Sequence, residues 1–251
     1  MNPSTPPALR LPPVFEPEWL EHVDCIAEAG LERLRAGAEE GTLLWSERQQ
    51  AGRARHDKSW ESPDRGLYAA LLLRPDEDAP SPEGLALVAT VALGSAIAAL
   101  SEPMTDLRYR WPNAIRVGGT RIAGVWLHRA PDCEGLVLSL ACNVSHPPEA
   151  LFDAGCLREE SGNASVTPTD VLEQFAREFL SWINRWAEDG MRPVTRQLLS
   201  RHDPVGTPLA FLETPEEPIA GAFEGLDEAG NLQLTVNEKR RTVTIRRFLG
   251  F

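Results

Sequence analysis

Residues 107–143 read LRYRWPNAIRVGGTRIAGVWLHRAPDCEGLVLSLACN, and the order of runs and turns in them decides the fold. Leu107 to Arg110, Ile115 to Val117, Thr120 to His128 and Gly135 to Cys142 are short runs rich in β-branched, aromatic and aliphatic residues, bounded by turn formers. Such runs predict strands. Gly118-Gly119 separates two of them as a hairpin turn, since glycine takes positive φ at no steric cost. Four strands joined this closely make an antiparallel meander.

Helices flank the meander. Ser81-Pro82 opens one with an N-cap and a first-turn proline, and the Ala/Leu/Val run to Leu100 is apolar nearly all round, as a helix buried beneath a sheet would be. Another starts near Thr169-Asp170, where Leu172, Phe175, Phe179, Ile183 and Trp186 recur at three- and four-residue steps until Gly190. The same step in Trp19, Leu20, Val23, Ile26, Ala27, Leu31 and Leu34 predicts a helix over about 17–37. Thr42 to Trp45 and Leu67 to Leu73 read as strands around a long polar loop, Ser46 to Arg65. His202 to Pro208, with two prolines and a glycine, reads as a linker. After it, Leu209 to Leu212, Ile219 to Gly225, Leu232 to Val236 and Thr242 to Phe248 predict four short strands with a turn at Asp227 to Asn231. The expected plan is α+β: a flexible Pro-rich lead over 1–17, a body over 18–203 and a small β domain over 207–251.

The chain has 251 residues, 42% hydrophobic and 25% charged, which excludes collagenous, disordered and disulfide-scaffold classes. Lys and Arg number 25 against 37 Asp and Glu, a net charge of -12 whose field repels nucleic acid, so any anion site must be local. Cys25, Cys133, Cys142 and Cys156 form no CxxC pair and read as free thiols of a reducing cytoplasm. His128 and His146 have no second ligand at metal spacing, so no structural metal is assigned. Met1 to Pro17 lacks a basic segment followed by an apolar run, and no stretch approaches the roughly 18 apolar residues of a membrane span. A cytoplasmic protein without membrane or nucleic-acid partners is expected.

Two segments can carry chemistry. Gln49-Gln50-Ala51-Gly52-Arg53-Ala54-Arg55-His56-Asp57-Lys58-Ser59-Trp60 concentrates three cations in an acidic chain. Gly and Ala let backbone N–H groups approach an anion, and Arg53, Arg55 and Lys58 can neutralise phosphate. GxxxxGK[ST] is absent, so this is no Walker loop. On spacing alone an anion clamp and a basic surface loop without a role stand level. The second segment, Arg110-Trp111-Pro112-Asn113, precedes Arg121-Ile122-Ala123-Gly124. By itself it reads first as a stiff β-turn with a packed Trp.

Taken in order, the Gln-Gln-Ala-Gly-Arg-Ala-Arg loop, Leu67-Tyr68, the Arg-Trp-Pro-Asn turn, the Arg-Ile-Ala-Gly strand and Cys142-Asn143-Val144 resemble the biotin–protein ligases. In that family the motifs run close to QQAGRGRxGRxW, LY, KWPND, KxAGIL and GIN at similar separations. The resemblance implies a biotin/lipoate ligase catalytic domain over 18–203, a mixed sheet with helices, and an SH3-like C-terminal domain over 207–251. Residues 1–17 leave no room for the DNA-binding winged helix of the bifunctional repressor type.

The activity implied is formation of biotinyl-adenylate from biotin and ATP with Mg²⁺, then transfer of biotin to a lysine of a carrier protein. Lipoate ligases and octanoyl transferases share the fold and stand as the alternative, as does a degenerate relative that only binds a cofactor or carrier. By resemblance, Gln49 contacts the biotin head group, while Gly52, Arg53 and Arg55 hold the adenylate phosphate and Trp60 covers the closed loop. Asn113 helps place nucleotide and metal, Gly124 admits the ligand to the backbone, and Asn143 lines the nucleotide side. Arg53, Arg55 and Arg121 are the catalytic candidates. Three positions depart from the family: Arg121 replaces a lysine whose geometry a guanidinium does not copy, Ala114 replaces the Asp after Trp-Pro-Asn, and Val23-Asp24-Cys25 stands about where Ser-Thr-Asn is found. Cys156 is weighed as an acyl-thioester nucleophile and read as structural, because Glu159 and Glu160 raise its thiol.

Overall fold

The computed structural model describes residues 7–53, 60–75, 82–130, 132–149, 151, 153–214 and 217–249. A seven-stranded sheet is built from β1 (Glu16–Trp19), β2 (Thr42–Ser46), β3 (Leu67–Leu73), β4 (Leu107–Arg110), β5 (Ala114–Val117), β6 (Thr120–Arg129) and β7 (Leu136–Cys142), in the order β1-β2-β3-β7-β6-β5-β4. Only β1 and β2 run parallel within it. The expected meander is present, and Gly118 and Gly119 both have positive φ at its hairpin.

Alternation along β3, β6 and β7 gives the sheet two apolar faces. Ala69, Leu71, Val125, Leu127, Leu138 and Leu140 join the main core with α2 (Gly84–Leu100) and α4 (Pro168–Asp189). Tyr68, Ala70, Leu72, Val137 and Ala141 face the other way, onto Ile26 and Leu34 of α1 (Ile26–Arg35) and onto Trp60. The helix α2 is buried along its first eleven residues, which is why it shows no polar stripe. A capping box starts α4: the Thr167 side chain accepts from the Asp170 N–H while Asp170 accepts from the Thr167 N–H. The Ser81 N-cap expected for α2 lies outside the described residues.

Four expectations are corrected. The helix predicted over 17–37 begins only at Ile26; Glu16–Trp19 is an edge strand, where Pro17 is tolerated because its missing N–H faces outward. Trp19 packs beside Trp45 across that edge. The lead expected to be flexible is tied down from its described part onward: Phe15 is buried, and the Arg10 N–H donates to Glu173 of α4 (2.8 Å). Two helices were not foreseen, α3 (Leu157–Glu160) and α5 (Arg192–Ser200).

The fourth correction concerns the end of the chain. A second, four-stranded antiparallel sheet follows in the order β11-β10-β9-β8, from β8 (Pro208–Thr214), β9 (Glu217–Leu226), β10 (Leu232–Val236) and β11 (Lys239–Val243). Asn237 and Glu238, both at positive φ, turn β10 into β11. The strand expected over Thr242 to Phe248 therefore ends at Val243, and α6 (Ile245–Leu249) begins where the Thr244 hydroxyl accepts from the Arg247 N–H (3.2 Å).

His128 on β6 meets Ser139 on β7 at 2.8 Å, and burial pushes its imidazole down to about 4. The unfolded chain takes up this proton near pH 6.5 and the folded chain refuses it until about 4. Stability conferred by the neutral ring is therefore lost as pH falls through that window. The loss should reach about 2 kcal/mol, after discount for the ring's partial exposure. Denaturant titrations from pH 7 to 4 should show His128→Gln with a shallower loss than the wild type; equal slopes would refute the assignment.

Candidate active site

Four of the expected site residues, Trp60, Asn113, Arg121 and Gly124, line one cleft at an end of the large sheet, where it meets the small one. A cleft of about 370 Å³ is lined by Arg110, Asn113, Ala114, Arg116, Arg121 and Gly124 from the meander, by Trp60 and Trp126, by Asp153, and by Trp111, Phe211, Leu212 and Phe248 at the junction of the two sheets. β4, β5 and β6 position its charged floor through their register: Arg110 pairs with Ala114, and Ala114 with Gly124. The Asn113 amide donates to the Val125 carbonyl (2.8 Å), and the Val125 N–H donates to the Asn113 carbonyl (2.9 Å), which fastens the Trp-Pro-Asn turn onto β6. The Trp111–Pro112 peptide bond in this turn is cis.

Arg121 sits half-buried on β6. Burial draws its guanidinium below the usual arginine value, Arg116 and Arg110 pull the same way, and the Asp153 carboxylate opposes them. A site holding three guanidiniums against one carboxylate is an anion receptor within a chain of net charge -12. Arg116 is fixed by donating to the Gly119 carbonyl (2.8 Å). Asp153 is fixed through the backbone: the Arg121 N–H donates to its carbonyl (2.7 Å), and the Gly155 N–H donates to the Arg121 carbonyl (3.0 Å).

The described ends of the basic loop meet at Gly52 and Trp60. Trp60 is buried edge-on against Trp126, with centroids 5.1 Å apart, and its Nε1–H has no partner among the described residues. Gly52 holds the loop's base closed, since the Trp60 N–H donates to its carbonyl (2.8 Å). A Cβ there would lie 2.8 Å from the Trp60 carbonyl oxygen and 2.7 Å from Ser62 Oγ, so only glycine fits. Arg53 is exposed at the edge of the described loop. Arg55 lies outside the described residues, with His56 and Lys58.

Three of the expected residues have structural work of their own. Gln49 accepts from the Ile26 N–H at the start of α1 (2.8 Å) and donates to Ser62 (3.0 Å), so its amide braces the loop and does not line the cleft. Asn143 is fully buried and donates to the Gly155 carbonyl (3.0 Å), which pins the 153–155 segment; its Oδ1 has no partner among the described residues, and it too stands outside the cleft lining. Gly124 makes room for an indole: a Cβ would come within 2.7 Å of the Trp126 ring.

Sequence reasoning did not single out Trp126, Asp153, Phe211 or Phe248. Trp126 had a legible signal, since it stands two residues from Gly124 on the same strand face. Among the described residues no three His, Cys, Asp or Glu side chains are grouped as a metal site would need.

Known proteins resemble this chain in sequence and in fold. The model of the biotin/lipoate A/B protein ligase family matches residues 11–200. The biotin–[acetyl-CoA-carboxylase] ligase of Paracoccus denitrificans is 28% identical over 211 residues, covering 80% of this chain and 87% of that protein. The bifunctional ligase/repressor BirA of Bacillus subtilis is 25% identical over 209 residues, and the match covers 63% of its length. Among solved structures, biotin protein ligase from Aquifex aeolicus in complex with biotin and ATP superposes with a TM-score of 0.77 at 25% identity, covering 90% of this chain and 94% of that one.

Proposed function

The chain belongs to the biotin/lipoate A/B protein ligase family, and on that premise we propose that it is an ATP-dependent biotin–protein ligase. In this reading it joins biotin to the α-phosphate of ATP, releases pyrophosphate, and passes the biotinyl group to a lysine of a carrier domain such as that of acetyl-CoA carboxylase. The observation that carries it is the cleft in which Arg110, Arg116 and Arg121 face the Trp60–Trp126 pair. Catalysis of this kind rests on holding two reactants together and on preorganised charge at the transferring group. Arg121 would meet the acid's carboxylate and the α-phosphate, and Arg53 and Arg55 would close the anion site from the loop. Asn113 would orient the nucleotide, while Gly124 and the aromatic walls would accept the flat rings.

Mg²⁺ would enter with the nucleotide. This ion commonly keeps several waters and is held largely by substrate phosphates, and a described lining of three guanidiniums and one carboxylate is too cationic to assign it a ligand from this chain. The transferase alternative finds no nucleophile at Cys156, which is fully buried; burial, with Glu159 adding to it, pushes the thiol up. The two sheets are proposed as two domains divided near 203–207, in a cytoplasmic protein; no described helix is long and apolar enough to cross a membrane.

Isotope exchange between pyrophosphate and ATP, started by adding biotin, tests the reading. Exchange that depends on biotin and is not elicited by lipoate or octanoate is expected. Exchange with lipoate or octanoate alone would move the substrate class, and none with any of the three acids would leave a binding relative.

A further inference from the structure

The cleft reads well for the anions of the first half-reaction and poorly for the nucleophile of the second. An acceptor lysine arrives as an ammonium ion, because its ordinary pKa is about 10. It must reach an acyl carbonyl beside Arg110, Arg116 and Arg121, all of which repel it. Among the described lining residues one group attracts it, the exposed carboxylate of Asp153.

We propose that Asp153 is the residue that receives the acceptor lysine and takes its proton. The inference rests on the ligase reading of the same cleft. Its support is placement: Asp153 lines the same cleft as Arg121, near enough for its charge to act on that guanidinium, yet remains open to solvent, and backbone hydrogen bonds tie its segment to β6. Arg121 and Ala154 form a bridge, the Arg121 N–H holds the Asp153 carbonyl at 2.7 Å, and buried Asn143 grips the Gly155 carbonyl at 3.0 Å. So fixed, one side chain lies beside the group expected to hold the acyl phosphate and at the rim where a carrier would approach. Ala114, in the same lining, offers no competing carboxylate.

One ammonium proton passes to the Asp153 carboxylate, and the freed lone pair forms the C–N bond at the acyl carbon. The bond from that carbon to the phosphate oxygen breaks, and AMP leaves with its electron pair. The second proton, on the new amide nitrogen, goes to solvent, and Asp153 releases its own proton there afterwards.

Asp153→Asn tests this with biotinyl-adenylate supplied ready-made, so that transfer is read apart from adenylation. Nα-acetyl-lysine amide serves as the charged acceptor and hydroxylamine, neutral at pH 7, as the acceptor with no proton to shed beforehand. Transfer to the lysine probe should fall about 10²-fold, the lower end of the range for a general base. Hydroxylamine cleavage and pyrophosphate exchange should fall at least about tenfold less, and the deficit with lysine should shrink as pH rises towards about 10, where the amine loses its proton unaided. Asp153→Glu should recover most of the lysine transfer. Equal losses with both acceptors, or a deficit constant with pH, would make Asp153 a support for Arg121 and overturn the inference while leaving the ligase reading intact. A wild type without biotin-dependent exchange would overturn both.

Discussion

Arg121→Ala should lower the rate of biotin-dependent pyrophosphate exchange by about 10² to 10³, the scale of removing one preorganised electrostatic donor from a site where charge develops. Charge accumulates between the attacking carboxylate and the α-phosphate, and Arg121 is the half-buried cation of the cleft lining whose guanidinium is drawn below its ordinary value by burial. Partial burial strengthens its field, since fewer waters screen it. Stability should change little, because β6 is held there by backbone bonds to Asp153 and Gly155 that do not involve the side chain. Arg121→Lys is the sharper variant. It keeps the charge and restores the residue that the resembled motif carries, so an active wild type should tolerate it, whereas the guanidinium fork matters if exchange falls as far as in the alanine variant. Exchange unaltered in Arg121→Ala would remove this residue from the reaction and leave the loop arginines to carry it.

The meander was legible because its strands obey a period of two and its turns need glycine, both local signals. The first helix was over-extended for an equally local reason. Trp19, Leu20 and Val23 continue the spacing of Ile26 and Leu34, yet Trp19 ends an edge strand and Val23 pairs with Gln49 outside any helix. Periodicity cannot see a sheet partner that lies over 20 residues away. The small helix α6 was hidden in a β-branched run, and only the Thr244 hydroxyl cap marks its start.

In the site, Arg121, Asn113, Gly124 and Trp60 were legible because ordered motifs carry them, and the structure gathers these four around one cleft. Gln49 and Asn143 sit in the same motifs but spend their amides on the loop, on α1 and on the 153–155 segment. No motif distinguishes a residue that touches a ligand from one that braces its neighbour. Asp153, Phe211 and Phe248 were illegible because their role is created only when distant segments meet: the loop before α3 reaches β6, and the second sheet closes the cleft wall.

That closure predicts the largest loss of stability. Trp111→Ala should cost about 3 to 5 kcal/mol, as expected for truncating a buried aromatic to alanine. The indole is 6% exposed and is shared between the two sheets. Its Nε1–H donates to the Gly230 carbonyl (2.9 Å) in the turn between β9 and β10, and its ring packs against Phe248 at 5.1 Å and Phe211 at 6.4 Å. Removing it leaves a cavity and an orphaned carbonyl together. For a chain of this size the melting temperature should fall by about 10 °C. Trp111→Phe fills most of the space but loses the hydrogen bond and some packing, so it should cost about 1 to 3 kcal/mol. Because Phe211, Leu212 and Phe248 form one wall of the cleft, exchange activity should fall in the alanine variant even at temperatures where it remains folded. A melting temperature within about 2 °C of the wild type would mean that the second sheet is held by contacts other than Trp111. A folded Trp111→Ala with full exchange would mean that adenylation does not need the wall this sheet provides.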